Sequence, residues 1–320
     1  MENGRSAVIA RMRKREASAR FHGCLLGLAV GDAVGTTAES RPRGTFEPLA
    51  GMVGGGPFRL ESGQWTDDTS MALCLATSLI ERNGFDPADQ MERYCRWAEE
   101  GYLSSTGACF DIGVTTAAAL RDHRRTGQPY AGSTDPLSAG NGSIMRLAPI
   151  PMFFLPNFEA IERFAAASSM TTHGAPECVD ACRLFGRMLG RALLGASKES
   201  VLFGDSGTFG GAERIVAIAR GKYMGKSEPE IRGTGYVAES LEAALWCFLR
   251  IDTFEQAILT AANLGDDADT TAAVCGQVAG AWYGVSGIPP RWLEKLALRS
   301  TIADLAAQLL AIMQARNHER

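Results

Sequence analysis

The chain lacks any run of about eighteen uninterrupted apolar residues, so no membrane-spanning helix is expected. It also lacks the marks of a secretory signal. The opening MENGRSAVIARMRKREASAR has no apolar stretch followed by a small-residue cleavage site. Strong positive charge is missing: the formal net charge is −4. Neutralising phosphates along a nucleic acid needs a basic face, so nucleic acid is not expected as a main partner. None of the eight cysteines forms a C-x-x-C pair. Cys178 and Cys182 stand one helical turn apart beside His173, but no fourth ligand follows at zinc spacing. Buried thiols in a reducing cytoplasm are therefore expected. Period-two alternation is also scarce, which leaves little room for a sheet.

What the sequence does contain is helical periodicity. DPADQMERYCRWAEEG offers Asp86 as N-cap, Pro87 at the first helical position and Gly101 as a stop. APECVDACRLFGRMLGRALLG, YVAESLEAALWCFLR, TFEQAILTAANLG and the tail from Arg291 place apolar residues at i, i+3 and i+4. This predicts an all-α protein with ten or more helices. Two of them carry glycine at four-residue spacing: Gly23, Gly27, Gly31 and Gly35 in one, Gly276, Gly280 and Gly284 in the other. Each glycine inside a helix costs about 0.8–1 kcal/mol relative to alanine, so close packing of backbone on backbone is expected to offset it. Residues 1–20 read as a basic arm or leading helix (Arg11, Arg13, Lys14, Arg15), and 21–320 as one domain. Segments 38–58 and 125–143 have the glycine and proline content of long mobile connectors.

The chemistry gathers at two acidic knots. Thr66, Asp67, Asp68 and Thr69 stand together at the start of one helix, and Asp266, Asp267, Asp269, Thr270 and Thr271 at the start of another. One acceptor suffices to cap a helix, and acidic first turns are ordinary. Two oxygen-only knots in one chain are not. Face to face, their carboxylates would repel unless a cation sat between them. With no histidine adjoining either, the donors suit hard divalent ions such as Mg²⁺ or Mn²⁺ rather than zinc. A pair of such ions can hold vicinal hydroxyls and activate water, which points to a hydrolase or transferase acting on an oxygen-rich substrate.

The landmarks GCLLGLAVGDAVG, WTDDT, FDIGVTT, GNGSIMRLAPI, TTHG and GDDADTTAAVCGQVAGAWYG follow one another through nearly the whole chain after residue 20. In this order they resemble the ADP-ribosylglycohydrolases, which include the dinitrogenase reductase-activating glycohydrolases. The resemblance implies an all-α fold with a binuclear Mg²⁺ or Mn²⁺ centre at the base of an ADP-ribose cleft. Its metal ligands would be Thr66, Asp67, Asp68, Asp267, Asp269 and Thr270. Asp67 or Asp269 would position or deprotonate water. Glu39 would correspond to the family's early glutamate, although GTTAES replaces the usual proline-bearing context. The family commonly has a glycine pair before D-x-D-T where this chain has Gly265-Asp266; Asp266 would cap the helix or support the ligands. Gly140, Asn141, Gly142 and Ser143 would present backbone amides and a hydroxyl to phosphate. Arg146 would support that loop, His173 would contact ADP-ribose and Tyr236 would stack on adenine or close the cleft. Asp111 would meet the leaving guanidinium, since a carboxylate can take two parallel hydrogen bonds from it; its plain alternative is a cap for a helix starting near Ile112.

The implied activity is removal of ADP-ribose from a modified protein, on arginine first, with ADP-ribose as product. Serine, nucleobase or small-ester linkages are the alternatives within the family. A protein that blocks or reverses an ADP-ribosylating toxin is another. DADTT also fits the D-x-D-x-T of aspartate-nucleophile phosphatases, but it follows a helix near the C-terminus, with no sheet left to build around it.

Overall fold

The two glycine stripes meet at the centre of the molecule. The structure is a computed structural model that describes the backbone of residues 2–318 and the side chains of 14–316. Its helices are α1 (Glu2–Gly35), α2 (Asp67–Glu81), α3 (Pro87–Glu100), α4 (Val114–Thr126) and α5 (Pro149–Phe154). Then come α6 (Phe158–Met170), α7 (Pro176–Leu193), α8 (Lys198–Phe203), α9 (Glu213–Ala219) and α10 (Val237–Arg250). The chain closes with α11 (Phe254–Ala262), α12 (Ala268–Tyr283), α13 (Pro290–Leu293) and α14 (Arg299–His318). The expected all-α class holds, in one compact domain. Among the described residues, no helix is long and apolar enough to cross a membrane.

Helices α1 and α12 lie against each other along their glycines. A Cβ on Gly23 would stand 2.2 Å from the Gly280 carbonyl oxygen, and one on Gly27 2.4 Å from that of Gly276. One on Gly31 would be 2.1 Å from the Ala272 oxygen, and one on Gly35 2.3 Å from that of Ala268. No side chain fits in such a seam, so the backbones touch directly. Gly284 is the exception to the expected stripe: α12 ends at Tyr283, and Gly284 caps it at φ 72° and ψ 170°, a conformation open to glycine. The seam matters for the site because it sets the C-terminal end of α1 against the N-terminus of α12.

Asp86 caps α3 through the N–H groups of Ala88 and Asp89, and Gly101 ends that helix at φ 70°, as the sequence predicts. The tail forms two helices, α13 and α14, rather than one. α1 runs unbroken past residue 20, with Lys14 and Arg15 exposed; the side chains of Arg11 and Arg13 lie outside the described residues.

The segment 38–58 is not the free connector its composition suggests. Its Leu49 exchanges two hydrogen bonds with the Asn263 side chain, and Thr37 Oγ1 donates to the Gly54 carbonyl. Within it, β1 (Arg41–Pro42) pairs antiparallel with β2 (Gly265–Asp266), with Arg41 opposite Asp266. This two-residue ladder ties residue 39 to the second acidic knot.

Candidate active site

Thr66 occupies the N-cap position of α2, but its side chain caps nothing. The capping acceptor comes from α1. Asp32, fully buried, accepts from Thr66 N and Thr66 Oγ1 at 2.9 Å each through Oδ1. Through Oδ2 it accepts from Thr69 N at 3.1 Å and Thr69 Oγ1 at 2.6 Å. Asp67 and Asp68 are thereby released from capping. The sequence reading missed Asp32, whose one signal was a carboxylate inside the otherwise apolar stretch GCLLGLAVGDAVG.

The second knot is built the same way. Asp267 stands at the N-cap of α12 without a side-chain capping bond, and the donor that needs an acceptor, Ala268 N, is taken by Glu39 Oε2 at 2.9 Å. Asp267 Oδ2 receives the Asn141 amide at 3.0 Å. Asp269 Oδ1 accepts from Thr270 N at 2.7 Å. The side chain of Asp266 caps nothing; its residue sits in β2 at φ 56°, a left-handed conformation glycine adopts more readily.

The two knots converge. Thr270 Oγ1 reaches Asp68 Oδ2 at 3.3 Å across 202 residues of sequence, and Thr66 Oγ1 lies 3.4 Å from the same oxygen. Carboxylate oxygens of Glu39, Asp267 and Asp269 lie within 4.8 Å of one another. Burial, then neighbouring carboxylates, push Asp67, Asp68 and Asp269 well above the usual carboxylate range. Asp111 is pushed up to about 7 by burial, then by Glu39, Asp32 and Asp267. Asp111 also has φ 53°, a strained backbone for a non-glycine residue. It does not cap α4, which begins at Val114 behind Gly113.

A divalent cation fits this donor set. Asp68 Oδ1 and Asp269 Oδ2 are buried with no hydrogen-bond partner, and no arginine or lysine of the described residues pairs with any carboxylate of the cluster. Buried charge of one sign needs a partner, and all-oxygen ligation selects a hard one. Cys178 and Cys182 play no part. They are buried thiols whose sulfurs point to Gly140 O and Ser143 Oγ.

Above the cluster lies a cleft of about 240 Å³, lined by Glu39, Asp67, Asp111, Asn141, His173 and Asp269 among others. The Gly140–Ser143 loop forms one wall, with a division of labour that the sequence did not show. The N–H groups of Gly140 and Asn141 are already bonded to Ser138 O and Gly235 O. The Ser143 hydroxyl turns inward to Ser169 Oγ at 2.9 Å, so it does not serve the cleft. The N–H groups of Gly142 and Ser143 have no acceptor among the described residues. Gly142 also makes room for histidine: a Cβ there would fall 2.7 Å from His173 Cε1.

Arg146 supports this wall from behind. Fully buried, it donates to Gly142 O and Thr172 Oγ1 at 2.7 Å each and lies over the Tyr94 ring. Thr172 Oγ1, accepting from Arg146, is 2.9 Å from His173 Nδ1. The tautomer in which Thr172 donates to Nδ1 has its ring N–H on Nε2, the edge facing the cleft. Burial, then Arg146, lower His173 to about 3, so the ring is neutral at ordinary pH. Gln277 donates to Ile144 O and Met145 O, a further support that the sequence left unmarked.

A second opening of about 560 Å³ continues past Gly140 and Gly235 to Tyr236. The Tyr236 hydroxyl is 2.5 Å from Glu177 Oε2, and the Arg214 guanidinium lies 5.8 Å from the ring centroid. The ring is half-buried at the edge of this opening.

Three comparisons bear on this geometry. The family model described as ADP-ribosylglycohydrolase matches residues 13–319. An ADP-ribosylarginine hydrolase Tri1 of Pseudomonas putida (strain GB-1) is 48% identical over 91% of this chain and 77% of its own. The ADP-ribosyl-[dinitrogen reductase] glycohydrolase of Rhodospirillum rubrum is 33% identical over 88% of this chain and 91% of its own. A solved structure titled ADP-ribosylglycohydrolase-related protein complex superposes with a TM-score of 0.84 at 43% identity, covering 93% of this chain and 99% of the other.

Proposed function

The chain belongs to the ADP-ribosylglycohydrolase family, and on that footing we propose that it hydrolyses the N-glycosidic bond joining ADP-ribose to an arginine of a modified protein. The observation that carries the reading is the contact of Thr270 with Asp68, which brings both knots onto one site. It is supported by the 48% identical relative, whose name states that activity. The eight free cysteines, all but Cys109 buried, support a cytoplasmic setting.

Thr66, Asp67 and Asp68 with Glu39, Asp267, Asp269 and Thr270 would hold two cations, Mg²⁺ or Mn²⁺. Bound, such ions supply a grip on vicinal ribose hydroxyls and Lewis acidity toward water. The chain's own groups do the rest. The free N–H groups of Gly142 and Ser143 and the Nε2–H of His173 meet the diphosphate, and the Tyr236 ring meets the adenine in the second opening. Asp111 takes the guanidinium of the departing arginine in a two-point hydrogen bond. Asp67 or Asp269 orients a water and accepts its proton as the water oxygen bonds to the anomeric carbon. The carbon–nitrogen bond breaks, and that proton restores the leaving guanidine, so free ADP-ribose and unmodified arginine result.

The test is release of ADP-ribose from arginine-modified protein, run with and without EDTA. Release that stops in chelator and returns with Mg²⁺ or Mn²⁺ is expected. Undiminished turnover in chelator rejects the cation roles. Release from serine-linked but not arginine-linked ADP-ribose rejects the linkage.

A further inference from the structure

A groove of about 530 Å³ opens between α3 and α4, behind the loop that carries Asp111. Ala98, Ile112, Ala117 and Leu120 give it an apolar floor, and Arg121 and Arg125 stand on its rim. The groove and the cleft are lined by neighbouring residues of the same segment at two places. Ile112 in the groove directly follows Asp111 in the cleft. Val114, at the first position of α4, lines the cleft mouth and is 85% exposed, unusually high for a valine. Val114, Ala117 and Arg121 recur at i, i+3 and i+7, so they form one face of α4. At 1.5 Å per residue, this face runs about 10 Å from the cleft mouth to the groove rim.

The charges on the rim are unequal. Arg124 is held by Glu92 and Glu99, and Arg125 by Asp122. Arg121 is exposed and has no acidic partner among the described residues. An unpaired guanidinium beside an apolar floor suits a segment that presents an apolar side chain and a carboxylate together.

The polarity of the substrate says which segment. With the adenosine end in the opening at Tyr236, as proposed above, the polypeptide end would leave past Asp111, Ile112 and Val114. We infer that the α3–α4 groove docks the polypeptide flanking the modified arginine, with an acidic residue of that polypeptide on Arg121. This inference rests on the arginine-hydrolase reading above.

Three substrates and one variant test it: free ADP-ribosylarginine, an ADP-ribosylarginine peptide flanked by leucine and aspartate, and one flanked by glycine and serine. Arg121→Glu, at an exposed and unpaired position, keeps the fold. For the wild type, a KM for the Leu/Asp peptide about 5–10-fold below that of the Gly/Ser peptide is expected. Arg121→Glu should erase that difference while leaving kcat/KM for free ADP-ribosylarginine unchanged. Equal KM values for the two peptides in the wild type overturn the docking, as does an Arg121→Glu effect that is the same on all three substrates. A wild type inert on free ADP-ribosylarginine and on both peptides overturns the functional reading itself, and the docking with it.

Discussion

Asp32, buried in the last turn of α1, accepts from both the backbone N–H and the hydroxyl of Thr66, each at 2.9 Å. A hydroxyl has one proton, and with that proton turned to Asp32 the lone pairs of Thr66 face the carboxylate cluster. Asp32 is thus a positioning residue: it caps α2 and fixes which way a candidate ligand points. Asp32→Ala leaves the N–H groups of Thr66 and Thr69 buried without acceptors, and a loss of about 2–4 kcal/mol in stability is expected. Asp32→Asn should fold better and still weaken Mg²⁺ binding about 10–100-fold, as loss of a supporting partner does at other metal sites. Thermal-shift titration of the folded variant with Mg²⁺ decides; unchanged affinity removes the positioning role.

The α1–α12 seam predicts that Gly31→Ala is damaging despite alanine's better helix propensity. A gain of about 1 kcal/mol from propensity is set against a Cβ placed 2.1 Å from the Ala272 oxygen. The helices must part, at a net cost of about 1–3 kcal/mol. Because Gly31 precedes Asp32 and α12 begins at the second knot, activity should fall by more than stability alone explains. Gly207→Ala, with open space around it, is the control and should change neither. Denaturant melts and turnover of the two variants check both points.

These two positions also mark how far the sequence could be read. The seam was legible because glycine at every fourth residue between apolar neighbours has few uses other than close packing. The knots were legible because oxygen donors clustered beyond the needs of a cap, and the all-α class because period-two alternation was scarce. Asp32 was not, since its partners lie 34 and 37 residues away, and no local pattern reveals a cap supplied from another helix. The inward turn of Ser143 and the commitment of the Gly140 and Asn141 amides were hidden for the same reason. Motif letters report donors, while tertiary packing decides where each donor points. Segment 38–58 misled because its composition is that of a loop, while its anchors, Asn263 and β2, are far off in sequence.

The cluster's excess of negative charge predicts opposite effects of one substitution in two conditions. Asp68 carries a buried oxygen with no partner and is raised by burial, then by Asp32, Asp67, Asp267 and Asp111. Asp68→Asn relieves that repulsion, so without divalent cations the variant should be more stable than the wild type, by about 1 kcal/mol. In excess Mg²⁺ the order should reverse. The wild type gains about 2.7 kcal/mol at a hundred times its Kd, and the variant gains little. Melting curves of both proteins in EDTA and in Mg²⁺ measure this. A variant that is less stable in both conditions contradicts a cluster built around cations.

His173 predicts a sign for acid sensitivity. Its ring is held at about 3 by burial and by Arg146, below the ordinary 6.5 of the unfolded chain. As pH falls below 6.5 the unfolded chain takes up this proton first, while the folded ring stays neutral. The histidine therefore lowers stability progressively between pH 6.5 and about 3, and above 6.5 it has no such effect. Each unit is worth about 1.4 kcal/mol, so about 2 kcal/mol should be lost by pH 5. His173→Gln removes the titration and keeps a polar side chain beside Thr172. The stability difference between variant and wild type should then shift by that amount in favour of the variant from pH 7 to pH 5, as read from urea melts at both. A constant difference means that the ring takes up its proton in the folded protein as readily as in the unfolded one. In that case the ring is charged in mild acid, and its Nδ1 no longer accepts from Thr172.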